Sequence, residues 1–313
     1  MNILNPNSNN LSKESQQAFL QGASYVIESG LNSAALWLKN IPAIEGETVA
    51  TLGNCYLDKS SNPTSFLTDC IDWLHKNHQI TMLIGPMNGN TWLKHRLIIE
   101  TDESPPFLME PMEPQFYYNA FEQSGFKTIA SYCSHRVDLT KPQADHSPLL
   151  KRIQKKGISI RPLNMDSFES DLKSIFKLSL ESFQQNFLYT PIKEEVFLSK
   201  YLESKKLVDP ALVLLAERDN ELVAYLFCIP DHAARQYGKQ PAIILKTLAS
   251  KPDKALAGIG HLLVSQAHSI AKNKGYTEAI HALQHEDNEA TRISERFQAT
   301  KFRRYALMSK TLK

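Results

Sequence analysis

Residues 246–268 read KTLASKPDKALAGIGHLLVSQAH. An apolar strand, KTLAS, runs into a Pro-Asp turn and then into a segment whose apolar residues recur at helical spacing. Gly258 and Gly260 sit where the helix begins. The first amides of a helix have no intrahelical acceptor, and its dipole draws anions to that end. Glycines there let oxygens approach the backbone. The stretch therefore reads either as a phosphate cradle or as a plain strand-to-helix turn, and a lone GxG does not decide between them.

Working outward, the second half of the chain supplies a strand in ISIRPLNM and helices in FESDLKSIFKLSLESF and EEVFLSKYLES. Next comes a hairpin turning at Arg218-Asp219-Asn220, then the strand PAIILKTLAS. After the glycine turn and its helix follow the strand YTEAIHALQ, a short helix near ATRISERF and a last strand, KFRRYALMSKTL. The first half is read as a helix in LSKESQQAFLQGASYVIE, two strands in LNSAALWLKNI and GETVATLGNCYLD, a helix in SFLTDCIDWLHKNH and a strand in ITMLIGPM. A long loop then carries Pro105, Pro106, Pro111 and Pro114, and the half closes with the helix PQFYYNAFEQSGF and the strand KTIASYCSHRVDL. Both halves thus end on helix, strand, loop, short helix and strand, an internal repeat. The prolines and basic cluster of KPQADHSPLLKRIQKKG suit a linker at 147–157 between domains 1–146 and 158–313, with KRIQKK as a solvated surface.

The totals bound the rest. With 313 residues the chain is long enough for two cores. Its 35 basic and 33 acidic side chains give a net charge of only +2, so no overall field favours nucleic acid or an anionic membrane. The start lacks the pattern of a signal peptide and no apolar run reaches the ~20 residues that span a bilayer, so a cytoplasmic protein without a membrane partner is expected. Cys55, Cys70, Cys133 and Cys228 show no zinc or redox spacing and are expected as buried thiols, with no metal site.

The order hairpin, strand, glycine turn, helix, strand, short helix, strand, together with the Asn in HEDNEATRIS, resembles the GNAT acyltransferase superfamily across residues 158–313. The first half, with GPMNGNTW, SPPFLMEP and SGFKTIASY, resembles the preceding domain of tandem GNAT-like proteins. The resemblance implies an α/β protein of two tandem domains, each with a mixed, mostly antiparallel central sheet flanked by helices. It places the Q/R-x-x-G-x-G/A pyrophosphate loop on Ala255, Leu256, Ala257, Gly258, Ile259 and Gly260, with the basic or amide side chain missing at Ala255. Lys246, Thr247, Leu248 and Ala249 would pair with the pantetheine arm of acetyl-CoA or another acyl-CoA, and Asn288 would touch it from across the cleft. Asn288 also reads as a helix cap, and the two roles are compatible. The matching place in the first half, LDKSSNPTS, has no GxG, so one CoA site is expected. The first domain would shape the acceptor cleft through Trp92, Arg96 and Glu110.

Acyl transfer to an amine needs a proton acceptor and a donor for the leaving thiolate. Alternation along TEAIHALQHED puts His281, Leu283 and His285 on one face with Glu286 at the strand's end, making His281, His285 and Glu286 the candidate bases. The tyrosine that many relatives carry after the Asn is missing. Ser294 and Glu295 stand in that helix instead, and Tyr305 in the last strand is the candidate acid. The leading reading is an N-acetyltransferase acting on a small-molecule amine. The alternatives are a metabolite sensor that has lost catalysis, or transfer from an acyl carrier protein or aminoacyl-tRNA.

Overall fold

The structure is a computed structural model that describes residues 1–9, 11–203 and 205–312. The first half contains β1 (Asn2–Leu4), α1 (Lys13–Leu20), β2 (Tyr25–Ser29), β3 (Asn32–Trp37), β4 (Val49–Tyr56), α2 (Pro63–His78) and β5 (Met82–Gly85). It closes with β6 (Leu97–Thr101), α3 (Gln115–Gln123) and β7 (Lys127–Asp138). The second half contains α4 (Ser147–Gln154), β8 (Ile158–Pro162), α5 (Phe168–Phe183), α6 (Glu194–Glu203), β9 (Val213–Arg218) and β10 (Glu221–Pro230). It continues through β11 (Ala242–Ser250), α7 (Ile259–Asn273), β12 (Glu278–His285) and α8 (Glu289–Arg296) to β13 (Thr300–Thr311).

Most helices and strands fall where the residue pattern puts them, but β1, in the polar start, and α4, in the segment read as linker, were not foreseen, and two further departures have local causes. The first helix, read through to Glu28, stops at Leu20 because Gly22 takes φ +89°, and YVIES becomes strand β2. Residues 97–101, read as loop, form β6, which finds its partner far away in β13. The segment 147–157 carries α4 and ends at Gly157, whose φ is +74°. All four cysteines are free and all but Cys55 are fully buried.

The strands form one continuous, mostly antiparallel sheet in the order β1-β2-β3-β4-β5-β13-β7-β12-β11-β10-β9-β8, with β6 also on β13. The final strands are exchanged. β13, the end of the second half, pairs with β5 and β6 of the first, while β7, the end of the first half, pairs with β12 of the second. The two exchanged strands also pair with each other from Thr300↔Arg136 to Ser309↔Lys127. The cores follow the exchange. Met308 and Leu312 pack with Leu36, Leu52, Leu74 and Phe121, whereas Val137 and Leu139 pack with Leu262, Leu263 and Leu226. Each half's apolar layer is therefore completed by a strand of the other.

Parallel pairing occurs twice, between β4 and β5 and between β11 and β12. The two pairs occupy corresponding places in the halves. Among the described residues no helix is long and apolar enough to cross a membrane.

Candidate functional site

β11 and β12 pair in parallel from Ala242↔Glu278 to Leu245↔His281 and then part. β11 stays with β10 and β12 stays with β7, and both are distorted at the parting point. On β11 the register jumps from Cys228↔Leu245 to Phe227↔Thr247, which takes Lys246 out of the ladder. On β12 the shift lies between His281 and Gln284, where Leu283 takes φ +55°. The gap opens a cleft of about 1130 Å³ with Lys246, Thr247 and Leu248 on one wall and His281, His285 and Asn288 on the other. Among the described residues the β12-facing edge of β11 has no partner strand beyond Leu245, so it offers backbone groups to an extended ligand.

The first half roofs this cleft. Trp92, Arg96 and Glu110 all line it, and each is fixed across the junction of the halves. The Trp92 indole donates to Thr190 O at 2.8 Å and stands edge-on to Phe183, Tyr189 and Phe197. Arg96 donates to Leu283 O at 2.9 Å, lies 3.9 Å above the Tyr132 ring and touches His95 Nε2. Burial lowers its guanidinium to about 10. Glu110 accepts from Arg303 at 2.6 Å and from the Tyr305 hydroxyl. The same hydroxyl meets Ser134 Oγ at 3.0 Å, and that oxygen accepts from the Leu283 amide at 3.0 Å. A buried chain thus runs from the roof to the distorted point of β12. Burial raises the Glu110 carboxyl despite Tyr305 and Arg303 pulling the other way.

The sequence candidates for proton transfer end up in different surroundings. His281 is 2% exposed. Its Nε2 meets His268 Nε2 at 3.0 Å and its Nδ1 meets Ser294 Oγ at 2.7 Å. Burial, then the neighbouring His268 and His135, hold it well below the ordinary imidazole range. Ser294 is fully buried in that network, where its hydroxyl also reaches Gln284 Oε1 at 2.9 Å, rather than on the cleft wall. His285 borders the cleft with its ring 5.1 Å from that of Tyr132. Glu286 is held by Arg304 and Lys301, 3.0 and 2.9 Å away, and these ion pairs outweigh burial to keep its carboxyl low. Tyr305 is completely buried in the exchanged strand, and burial with the adjacent Glu110 pushes its phenol far up. Asn288 both lines the cleft and caps α8, accepting from the Ala290 amide at 3.4 Å.

The glycine turn adjoins the cleft without lining it. Asp253 accepts from the Ala255 amide at 2.8 Å to start a short 3₁₀ turn, whose Leu256 is buried. Gly258 then takes φ +92° and caps α7 without a side-chain hydrogen bond. Among the described residues nothing accepts from the amides of residues 258–261. A Cβ on Gly260 would lie 3.2 Å from Leu248 and 3.3 Å from Ile293, both on the cleft wall, so turn and cleft are next-door neighbours.

Two groups of residues escaped the sequence reading. The cluster KRIQKK, read as solvated linker charge, brings Arg152 onto Ala257 O at 3.1 Å and Lys156 onto Ala255 O at 2.5 Å, beside the turn that lacks its usual polar residue. Lys200 of α6 donates to Trp92 O at 2.5 Å and faces the cleft with Lys246, whose amine lies 5.0 Å from the Tyr201 ring centre. Burial lowers both amines to about 8, and for Lys200 the charge of Lys246 adds to it. The spacing of KRIQKK and of FLSKY gives no signal for either placement. Among the described residues no group of three or more metal-ligating side chains is assembled.

No family model matches the chain. Among curated proteins it is 26% identical to Protein YghO of Escherichia coli (strain K12) over 165 residues, 51% of this chain and 41% of that one. It is 20% identical to Bacterial ceramide synthase of Caulobacter vibrioides over 161 residues, 51% of this chain and 42% of that one. The matched regions are thus less than half the length of these relatives. Three solved structures resemble nearly the whole chain. A GCN5-related glucosamine N-acetyltransferase region of a fungal multi-domain β-N-acetylglucosaminidase gives a TM-score of 0.57 at 14% identity, covering 96% of this chain and 35% of that one. A GCN5-related N-acetyltransferase from Sphaerobacter thermophilus gives 0.54 at 15%, covering 90% and 76%. A tandem GNAT protein from the clavulanic acid biosynthesis pathway gives 0.51 at 11%, covering 98% and 90%. The chain has the tandem GNAT fold that its sequence resembles.

Proposed function

We propose that the chain is an acyl-CoA-dependent N-acyltransferase with one donor site, in the second half, and an amine acceptor site under the roof of the first. The observation that carries the reading is the open gap between β11 and β12 beside a helix start whose amides are free. In this reading the unpaired edge of β11 from Lys246 to Leu248 holds the pantetheine arm and Asn288 meets it from the other wall. The amides of residues 258–261, with Arg152 and Lys156 beside them, receive the pyrophosphate. A bound acyl-CoA supplies the activated acyl group. The chain itself positions the amine, shields it from water and takes its proton.

Among the sequence candidates His285 borders the cleft with its Nδ1 accepting from the Asp287 amide at 3.3 Å and 3.9 Å from the exposed Asp287 carboxylate, and its ring is the proposed proton acceptor. Tyr305 orders Leu283 through Ser134. Similarity to a ceramide synthase favours an amide-forming reaction, and the aromatic lining by Phe107, Phe183, Phe187 and Tyr189 suits an apolar acyl chain longer than acetyl.

Calorimetry with acetyl-CoA and longer acyl-CoAs, paired with thiol-release assays on an amine panel, tests this. Wild type should bind and turn over, and Gly260→Glu should lose binding while keeping its fold, because the new carboxylate would stand at the phosphate position. Equal binding by both proteins would remove the proposed pyrophosphate site. A second reading rests on Ala255 and on the buried Tyr305, neither of which can serve a thiolate as it stands. Binding without turnover of any amine would make the protein a sensor. Turnover only with an acyl carrier protein or aminoacyl-tRNA would reassign the donor.

A further inference from the structure

The cleft wall beside the parting point carries Lys246 and Lys200, and the acids that line the cleft besides Glu110 are the exposed Asp287 and Glu289 at the start of α8. Lys246 leaves the ladder at the distortion of β11. Lys200 faces the same cleft from α6, held by Trp92 O, where burial and then the charge of Lys246 lower its amine. His95, under the roof, feels both Arg96 and Lys200, so the file continues from Lys246 through Lys200 and His95 to Arg96. None of Lys200, Lys246 and Arg96 has an ion-pair partner among the described residues. Glu110, the buried acid that lines the cleft, is already engaged with Arg303 and Tyr305.

Buried or half-buried cations are normally paired, because desolvation without a partner is costly. The buried Arg96 of the roof and the half-buried Lys246 of the wall, both unpaired and joined at the cleft by the exposed Lys200, therefore describe half of a salt bridge. The CoA phosphates are not the missing half. They belong at the glycine turn beyond Ser250, and Lys246 lies about four residues, or roughly 13 Å of strand, away at the thioester end.

We propose that Lys246, Lys200 and Arg96 form a receptor for an acidic group, carboxylate or phosphate, carried by one of the two reacting molecules at the thioester end of the cleft. This rests on the acyltransferase reading for its meaning but not for its detection. The acid sits on the amine acceptor, as in an amino acid or aminoalkyl phosphate, or on the far end of a dicarboxylic acyl group. Lys246 and Lys200 grip it as point charges with mobile stems, while Arg96, held flat on Tyr132, closes the roof side.

The test uses inert probes, so that it needs no turnover. Hexanoate and hexyl phosphate are titrated calorimetrically against hexanamide, with wild type, Lys200→Met, Lys246→Met and the two Lys→Arg variants. Wild type should bind at least one acid about tenfold or more tightly than the amide, the worth of one charge-assisted contact. Each Met variant should lose about that factor while melting like wild type, and the Arg variants should recover part of it.

A pH-stat adds a signature that packing alone would not give. With both amines lowered to about 8, acid binding at pH 8.5 should take up protons in wild type and less in either Met variant. The other titratable groups lining the cleft are Tyr201 of α6, Tyr225 of β10, Lys94, His95, Arg96 and Glu110 from the roof, Tyr132 of β7, Tyr189 after α5, His281 and His285 of β12, and Asp287 and Glu289 at the start of α8. If acetyl-CoA leaves acid binding intact, the acid belongs to the acceptor. If acetyl-CoA displaces it, the acid belongs to the acyl group. Hexanamide binding as well as the acids, or acid binding that survives both Met substitutions, overturns the proposal. Failure to bind acetyl-CoA alone would instead sink the acyltransferase reading and leave this receptor standing.

Discussion

The two halves open the same gap and treat it in opposite ways. β4 and β5 part after Thr51↔Ile84 just as β11 and β12 part after Leu245↔His281. In the first half the chain fills the gap with itself. The Met87 amide donates to Leu52 O at 2.8 Å, Asn88 Oδ1 accepts from the Asn54 amide at 2.7 Å, and Gly53 has no room for a Cβ, which would lie 2.5 Å from the Met87 backbone. In the second half the corresponding space is the cleft. The helices that follow differ in the same sense. α2 begins at Asn62, whose side chain accepts from the Ser65 amide at 3.1 Å with Pro63 behind it, whereas α7 begins at a bare glycine. A capped helix beside a plugged gap is a strut, and an uncapped helix beside an open one can take a ligand. The segment that plugs the first gap then runs on through Trp92 and Arg96 to roof the second, so one stretch of chain closes one gap and covers the other.

Breaking the strand exchange should have the largest effect. If each half's sheet is completed by the other's last strand, 1–146 and 158–313 expressed apart should each fail to give a cooperative melt. Co-expressed, they should purify together and melt as one transition. Either half folding stably alone would show that the exchange is dispensable. Next in size is the buried pair that ties the exchanged β13 to the roof. Glu110→Ala leaves Arg303, 3% exposed, with only the more distant Asp102 carboxylate at 3.5 Å, and should cost about 3 kcal/mol in urea unfolding.

The plugged and open gaps are separated by a matched glycine pair. Gly53→Ala should cost about 3 kcal/mol, since the new Cβ would meet the Met87 backbone, and should leave acyl-CoA affinity unchanged in the surviving folded fraction. Gly260→Ala meets only the flexible ends of Leu248 and Ile293 and should barely change stability while weakening acyl-CoA binding. The reverse pattern would mean that the cofactor lies in the first gap.

Much of this was legible in sequence because it depends on local chemistry. The glycine turn, the hairpin at Asp219-Asn220, where both residues take positive φ, and the order of elements follow from turn residues and periodicity. What was not legible depends on neighbours. FKTIASYCSHRV and KFRRYALMSKTL alternate alike, and nothing in alternation says which sheet each strand joins. The plug could not be foreseen from GPMNGN, because only the Gly53 contact gives Met87 and Asn88 their meaning. Lys200 reads as a solvated helix residue until Trp92 arrives above it, and Tyr305 reads as core until Glu110 reaches it from 195 residues away.

The smallest expected effect comes from the layer beneath the two gaps. At the last paired position the first half has Ile84 and the second His281, so the second half alone buries an imidazole pair there. Burial lowers His268 to about 3 and holds His281 well below its usual range, against about 6.5 when unfolded. The unfolded chain then binds protons that the folded chain refuses. The stability that this neutral pair allows is full above about pH 6.5 and falls as the pH drops toward the folded values. Each histidine should remove about 2 kcal/mol by pH 5 relative to pH 7. His268→Gln keeps an amide near His281 Nε2 and removes one titrating group. It should therefore lose about 2 kcal/mol less than wild type between those pH values in urea unfolding, even if it is weaker at pH 7. An unchanged pH dependence would mean that the pair opens to solvent in the native state, and that the second half's interior is as accessible as its cleft.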